Sequence, residues 1–355
     1  MTGTVTSFGY GGVSLQQTLN LTSLSQKKDG LQAQASTGVV SDSYAGLGNS
    51  RAQALALQPA ITQVSAWSGN ITTAQNRLTT TQSVLSQIST IASDLNETLS
   101  TLAGSMSSST IGTAAQQAKT ALTSLGNLLN TQQGDSYIFS GLQSSEAPVS
   151  GDPGNSDLAS SISQAVNQLG TADASSVLSS TLALAGNTAD NQPFSSSLST
   201  DPTTASAQNL QIVTGKNETA TAGIVATQGS ASSGSSTGSP IRDLMRNLMV
   251  VAALGSVDPG TADYTQLIQG LQDTNTTAID GLSDMSGALG VQQNSLTTQS
   301  AMLEQMKSAL TTQLGTTKDA DLAQVSVQIN DTSNQLQASY SIIADMKGMT
   351  LASYL

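Results

Sequence analysis

Apolar positions recur at steps of three and four along both ends of the chain, and this pattern lapses in the middle. Leu21, Leu24, Lys28, Leu31 and Ala35 form a first stripe, broken only by Lys28, which predicts a helix over about 13–35. Asp42, Ser43, Gly46 and Gly48 then favour turns, so a second helix is expected to start near Asn49 or Ser50. From there a seam runs through Leu57, Ile61, Val64, Ser68, Ile71, Gln75, Leu78, Gln82, Leu85, Ile88, Ala92, Leu95, Leu99 and Leu102, with one slip after Leu85. Such a heptad run describes a coiled-coil rod roughly 75 Å long at ~1.5 Å per residue. Pro59 fits only near the start of that helix or at a kink, because it lacks an N–H and clashes one turn back.

A third helix is expected at about 113–132, carrying Ala118, Ala121, Leu122, Leu125, Leu128 and Leu129. Tyr137, Ile138, Phe139, Ser140 and Gly141 then read as a short strand and turn. This segment either fills a small local core or orients the next domain against the rod. Beyond Glu146, Ser, Gly, Asn, Asp and Pro dominate, interrupted by short apolar pieces such as Val177, Leu182 and Leu184. Two strand-like pieces, 209–214 and 221–227, precede a linker at 229–240.

Helical spacing returns at Ile241, Leu244, Met245, Leu248, Val251 and Ala252. Leu282, Leu289, Leu296, Leu303 and Leu310 then follow at intervals of seven, although Gln292, Gln299 and Gln313 occupy much of the companion row. A last helix at about 319–347 carries Leu322, Val325, Ile329, Leu336, Tyr340, Ile343 and Met346, and Gly348 supplies its stop. The expected architecture is mainly α: a long antiparallel coiled-coil-like bundle of N- and C-terminal helices with a protruding, smaller, partly β middle domain. The corresponding boundaries are 1–145, 146–239 and 240–355.

Composition narrows the function. Charged residues are 10% of the 355 and hydrophobic ones 37%. The remainder is dominated by Ser, Thr, Asn and Gln, so solubility rests on hydroxyls and amides where a typical domain uses about 25% charged residues. A net charge of −12 opposes binding to nucleic acid or to anionic membrane surfaces. With no Cys and no His, thiol and imidazole catalysis, disulfides and imidazole or thiolate zinc sites are excluded. Asp319 and Asp321, two apart, point to opposite sides of a helix and suit a helix N-terminus better than a shared substrate. No catalytic residue, cofactor site or metal site is assigned, and no enzyme activity is expected. Trp67 reads as a bundle-packing residue. The first 13 residues lack a secretory signal pattern and no stretch has the ~18 apolar residues of a membrane span. The protein is therefore expected to be cytoplasmic or to leave the cell without a cleaved signal.

Many seam positions are Gln, Ser or Thr, which pack and hold helices less well than aliphatics. The helices are thus expected to complete their burial against other copies of the chain. An ordinary intracellular coiled coil would show the same periodicity.

Particular stretches resemble the bacterial flagellin family. Gln34-Ala35-Ser36-Thr37-Gly38 is similar to the close of that family's first helix, and Ala45-Gly46-Leu47 to the segment after it. Leu336-Gln337-Ala338-Ser339-Tyr340 and the ending Met349 to Leu355 resemble its C-terminal helix and tail. Leu129-Asn130-Thr131-Gln132 with Tyr137 to Gly141, and Thr317 to Ala323, are similar to the branch that joins hook to filament. The chain differs in lacking a basic residue after Gly38, in Asp42-Ser43-Tyr44, and in having Gln292 where Arg is usual.

The resemblance implies an extracellular structural subunit of the flagellum, exported unfolded by the type III route and folding on assembly. Its implied partners are other copies of itself, hook-associated proteins, filament subunits and an export chaperone, without membrane insertion. Assembly is expected to fall on Leu57, Ile61, Val64, Leu78, Leu85, Leu322, Val325, Ile329, Leu336, Tyr340, Ile343, Leu351 and Leu355, with 137–141 as the domain-junction motif. The main filament subunit, a secreted adhesin and a cytoplasmic scaffold stand as alternatives.

Overall fold

A computed structural model describes residues 9–105, 107–188, 193–257, 260 and 262–348. Helices make up 73% of it. In chain order the elements are α1 (Gly9–Thr37), α2 (Arg51–Gly104), α3 (Ser108–Leu129), β1 (Gln132–Gln133), β2 (Ser136–Tyr137), α4 (Asp157–Val166), α5 (Ala174–Gly186), α6 (Pro202–Ser206), β3 (Gln211–Gly215), β4 (Glu218–Thr221), α7 (Pro240–Ala253), α8 (Ala262–Lys318) and α9 (Leu322–Gly348). The fold is mainly α, with long helices packed on each other and a small strand-containing middle region.

Packing divides the chain into two compact units. A terminal unit combines residues 1–65 and 305–355, and a central unit spans 66–304. This division follows contacts, whereas the boundaries at 145 and 240 follow composition.

In the terminal unit α1 packs along α9. The residue after α1's first break, Val39, lies in an antiparallel bridge with Asp319 just before α9, so the two helices run antiparallel. The predicted stripe on α1 is its covered side, with Leu31 buried and Leu21, Leu24 and Lys28 half-covered, while Ala35 is exposed. On α9 the covered row is Val325, Ile329, Thr332, Leu336 and Ile343. Leu322 and Tyr340 lie off that row and are exposed, because the row advances by alternating fours and threes through Thr332. Asp321 caps α9, its Oδ1 accepting from Ala323 N–H at 3.0 Å and Gln324 N–H at 3.2 Å, as the charge argument anticipates. Pro59 falls in the third turn of α2.

The central unit is built on α2 and α8. Gln75 donates to Thr297 (3.3 Å), Gln82 to Ser286, Asn275 to the carbonyl of Ala92 (2.9 Å) and Gln272 to Ser100 (3.4 Å). Partner numbers fall on α8 as they rise on α2, so these helices are antiparallel. Ile71, Leu78, Leu85, Ile88, Leu99 and Leu102 of α2 and Leu271, Leu282, Leu289 and Leu296 of α8 are almost wholly shielded from solvent. Each such side chain contributes roughly 1.5–3 kcal/mol by burial. The polar seam positions Gln75, Gln82, Gln292 and Gln299 are only half-buried. α3 and α4 pack on α7, and α5 packs on both α4 and α7.

The middle departs from the sequence reading. Helices α4, α5 and α6 replace the expected loops, each started by a side-chain cap from Ser156, Asp173 or Asp201. On α4 the apolar row is three residues, Leu158, Ile162 and Val166, too short to register as a seam. The second strand forms at 218–221 instead of 221–227, paired with β3 through a tight turn at Lys216 and Asn217. Of the 137–141 segment only Tyr137 pairs as a strand, together with Ser136 before it, and Ile138 to Gly141 turn away.

Candidate functional site

Two arrangements bear on function, one in each unit. The first is the α1–α9 pair. A two-helix pair covers one stripe on each member and leaves the rest open. Leu15 and Leu19, one turn apart, are 63% and 56% exposed on α1, away from the stripe that α9 covers. On α9, Leu322, Val327, Tyr340 and Ile342 are at least half exposed. Large apolar side chains so disposed lack cover among the described residues of the terminal unit and mark a surface that gains by association.

The expected assembly residues divide accordingly. Leu57, Val64, Val325 and Leu336 are buried in the terminal unit, and Ile61, Ile329 and Ile343 are half-buried there. Leu322 and Tyr340 stand open to solvent. Leu78 and Leu85 are enclosed by the central unit's own side chains. Leu351 and Leu355 lie outside the described residues. Leu15, Leu19, Val327 and Ile342 were missed, since they fall off the seams. An apolar residue outside the predicted stripe is the signal that would find them.

The second arrangement is a knot around 137–141. Arg77, on the face of α2 turned from the α8 seam, is 7% exposed and donates through Nη2 to the carbonyls of Tyr137 (2.9 Å) and Ile138 (3.0 Å). Burial lowers the Arg77 pKa from its ordinary value. Ser140 donates to the Tyr137 carbonyl (3.1 Å), and Ala226 N–H donates to that of Phe139 (3.0 Å). Ile138, Phe139 and Ser140 are fully enclosed. Gly141 closes the turn at φ +65°, where an added Cβ would lie 2.6 Å from the Gln208 carbonyl oxygen and 2.8 Å from Val225. This geometry ties the segment to α2 and to the stretch after β4 at once. Arg77 went unread because an isolated charge on a heptad flank looks solvated. Trp67 is half-buried on α2.

A buried charged cluster opens α7. Arg242 donates to the carbonyls of Leu198 (2.7 Å) and Thr200 (2.8 Å) and lies 5.7 Å over the Phe194 ring. Asp243 accepts from Thr237 N–H (2.8 Å) and from the Ser236 hydroxyl. Arg246 is 1% exposed, and its three side-chain nitrogens have no hydrogen-bond partner among the described residues. Desolvation lowers both arginines to about 10, opposed by Asp243 and, for Arg242, also by Asp201. The cluster anchors loop 193–200 and the 236–239 turn to α7.

Among the described residues no group of three or more metal-ligating side chains comes together, and no helix is long and apolar enough to cross a membrane. An open groove of about 1280 Å³ between α2 and α3 is lined mainly by hydroxyls, amides and aliphatics, with Asp94 and Glu97 the carboxylates.

Long N- and C-terminal helices flanking a small strand-containing middle define a mainly helical fold. The bacterial flagellin N-terminal helical region matches residues 11–144 and the flagellin C-terminal helical region matches residues 273–355, together more than half of the chain. The chain belongs to the bacterial flagellin family and is a structural subunit of the flagellum. That family assembles into polymers of the extracellular flagellar filament and is not enzymatic. A comparison with curated proteins found no match.

Proposed function

We propose that this subunit joins hook to filament, as the family's hook-associated protein 3 does. The observation that carries the reading is the similarity of Leu129 to Gln132 and Tyr137 to Gly141 to the junction branch, supported by Thr317 to Ala323. The main filament subunit is the second reading, and the matches of both ends to the flagellin helical regions fit either one. Export unfolded through the type III channel, with a chaperone, suits a chain without Cys whose terminal helices leave apolar side chains uncovered. In the assembled state, Leu15, Leu19, Leu322, Val327, Tyr340 and Ile342 meet other copies, hook-associated proteins or filament subunits. The 137–141 knot holds the middle region in a fixed orientation on α2, and no catalytic step is assigned to the chain.

Deletion of the gene tests the role. Hooks without filaments, with filament subunits accumulating in the medium, are the expected phenotype. Hooks without filaments and no filament subunit in the medium would assign the chain to the filament, and normal filaments would overturn both readings.

A further inference from the structure

Two helix breaks in the terminal unit lie side by side, and each completes the other. α8 ends at Lys318, whose carbonyl has no acceptor role left inside its own helix. Val40 N–H, from the break after α1, donates to it at 2.7 Å. In return Ala320 N–H, from the break before α9, donates to the carbonyl of Gly38 at 2.9 Å. Val39 faces Asp319 between these bonds, and the Gln34 side chain donates to the Val40 carbonyl at 3.0 Å. The Lys318 ammonium then sits 5.2 Å over the ring of Tyr44, the first residue of the 3₁₀ turn Tyr44–Ser50 that leads into α2. Within that turn Gly48 has φ 54° and ψ −122°, a conformation open in practice to glycine alone.

We propose that these breaks form one paired joint, about which α1 and α9 swing as a single arm, and that Lys318 on Tyr44 is its latch. Opening either break alone strands a half-buried donor and acceptor of the other, so the two bonds break and re-form together. The cation over the ring adds a contact that links the end of α8 to the entry of α2. Gly48 supplies the backbone freedom that the swing needs. This device is independent of which flagellar subunit the chain is.

Amide hydrogen exchange on the full chain, read at Val40 and Ala320, tests it. The two amides should share one opening rate in the native protein. Lys318→Gln and Tyr44→Leu should each speed both by about two- to fivefold, and Lys318→Arg, which keeps the cation, should leave both unchanged. Unrelated rates at the two amides, or acceleration of one without the other, would overturn the paired joint. Unchanged exchange in both Lys318→Gln and Tyr44→Leu would overturn the latch.

Discussion

Asn275, in the fourth turn of α8 and wholly buried, donates its side-chain amide to the backbone carbonyl of Ala92 on α2 at 2.9 Å. A polar side chain among leucines at a helix seam fixes which turn faces which, at some cost in stability. Asn275→Leu is therefore expected to unfold at an equal or higher denaturant midpoint. Asn275→Asp should lose on the order of 3 kcal/mol at neutral pH, since it places an unpaired charge in the core. Urea titrations of the two variants check the contrast, and a Leu variant as unstable as the Asp variant would refute it.

Arg77 should matter more than its single charge suggests. Arg77→Met removes the donor shared by Tyr137 and Ile138, and a loss of about 2 kcal/mol is expected, with faster amide exchange centred on 137–141. Uniform exchange changes across α2 and α8, with 137–141 unaffected, would show that Arg77 does not hold the knot.

Gly141→Ala tests the same knot from the other side. The left-handed backbone and the approach of Gln208 and Val225 leave no space for a methyl group, so a loss of at least about 2 kcal/mol is expected. A near-neutral result in thermal or urea unfolding would mean that the turn relaxes freely.

The two arginines at the start of α7 should respond in opposite directions. Arg246 has no hydrogen-bond partner among the described residues, so Arg246→Met should stabilise by about 1–3 kcal/mol, whereas Arg242→Met strips the carbonyls of Leu198 and Thr200 of their donor and should destabilise. Burial lowers the folded-state Arg246 pKa to about 10, below its ordinary value, so the folded state holds that proton less tightly than the unfolded chain. Its contribution to stability therefore rises as pH climbs past about 10, and the penalty is complete at neutral pH. Equal destabilisation by both substitutions at pH 7 would contradict this assignment.

Much of this was legible in the order of residues. The Leu57 to Leu102 seam and the Leu282 to Leu303 row emerged as buried faces because a heptad spacing has one geometric meaning over so many turns. Asp321 emerged as a cap for the same local reason. Tyr340 was misplaced onto the α9 seam because a tyrosine draws the eye where Thr332 and its neighbours carry the row. Helices α4 to α6 were hidden by their length, and the Arg77 contacts by distance, since a donor at 77 and acceptors at 137 and 138 share no local pattern.

Charge partition bears on assembly. Residues 66–304 hold 17 acidic and 5 basic side chains, while residues 1–65 and 305–355 hold 6 of each, so the whole net charge of −12 belongs to the central unit. Copies should repel through the central unit and associate through the neutral terminal one. Light scattering should then show self-association strengthening as sodium chloride rises toward ~0.3 M, where the screening length is under 10 Å. Weaker association with added salt would point to ion pairs as the attractive contacts.

The central claim is that association runs through the uncovered apolar residues of the terminal unit. Sedimentation of the full chain beside a Leu15→Gln, Leu19→Gln variant measures it most directly, because both side chains are open to solvent and off the α9-covered stripe. The account predicts equal helix content by circular dichroism, oligomers or polymers for the parent chain, and monomers for the variant. Identical association of the two proteins would contradict it.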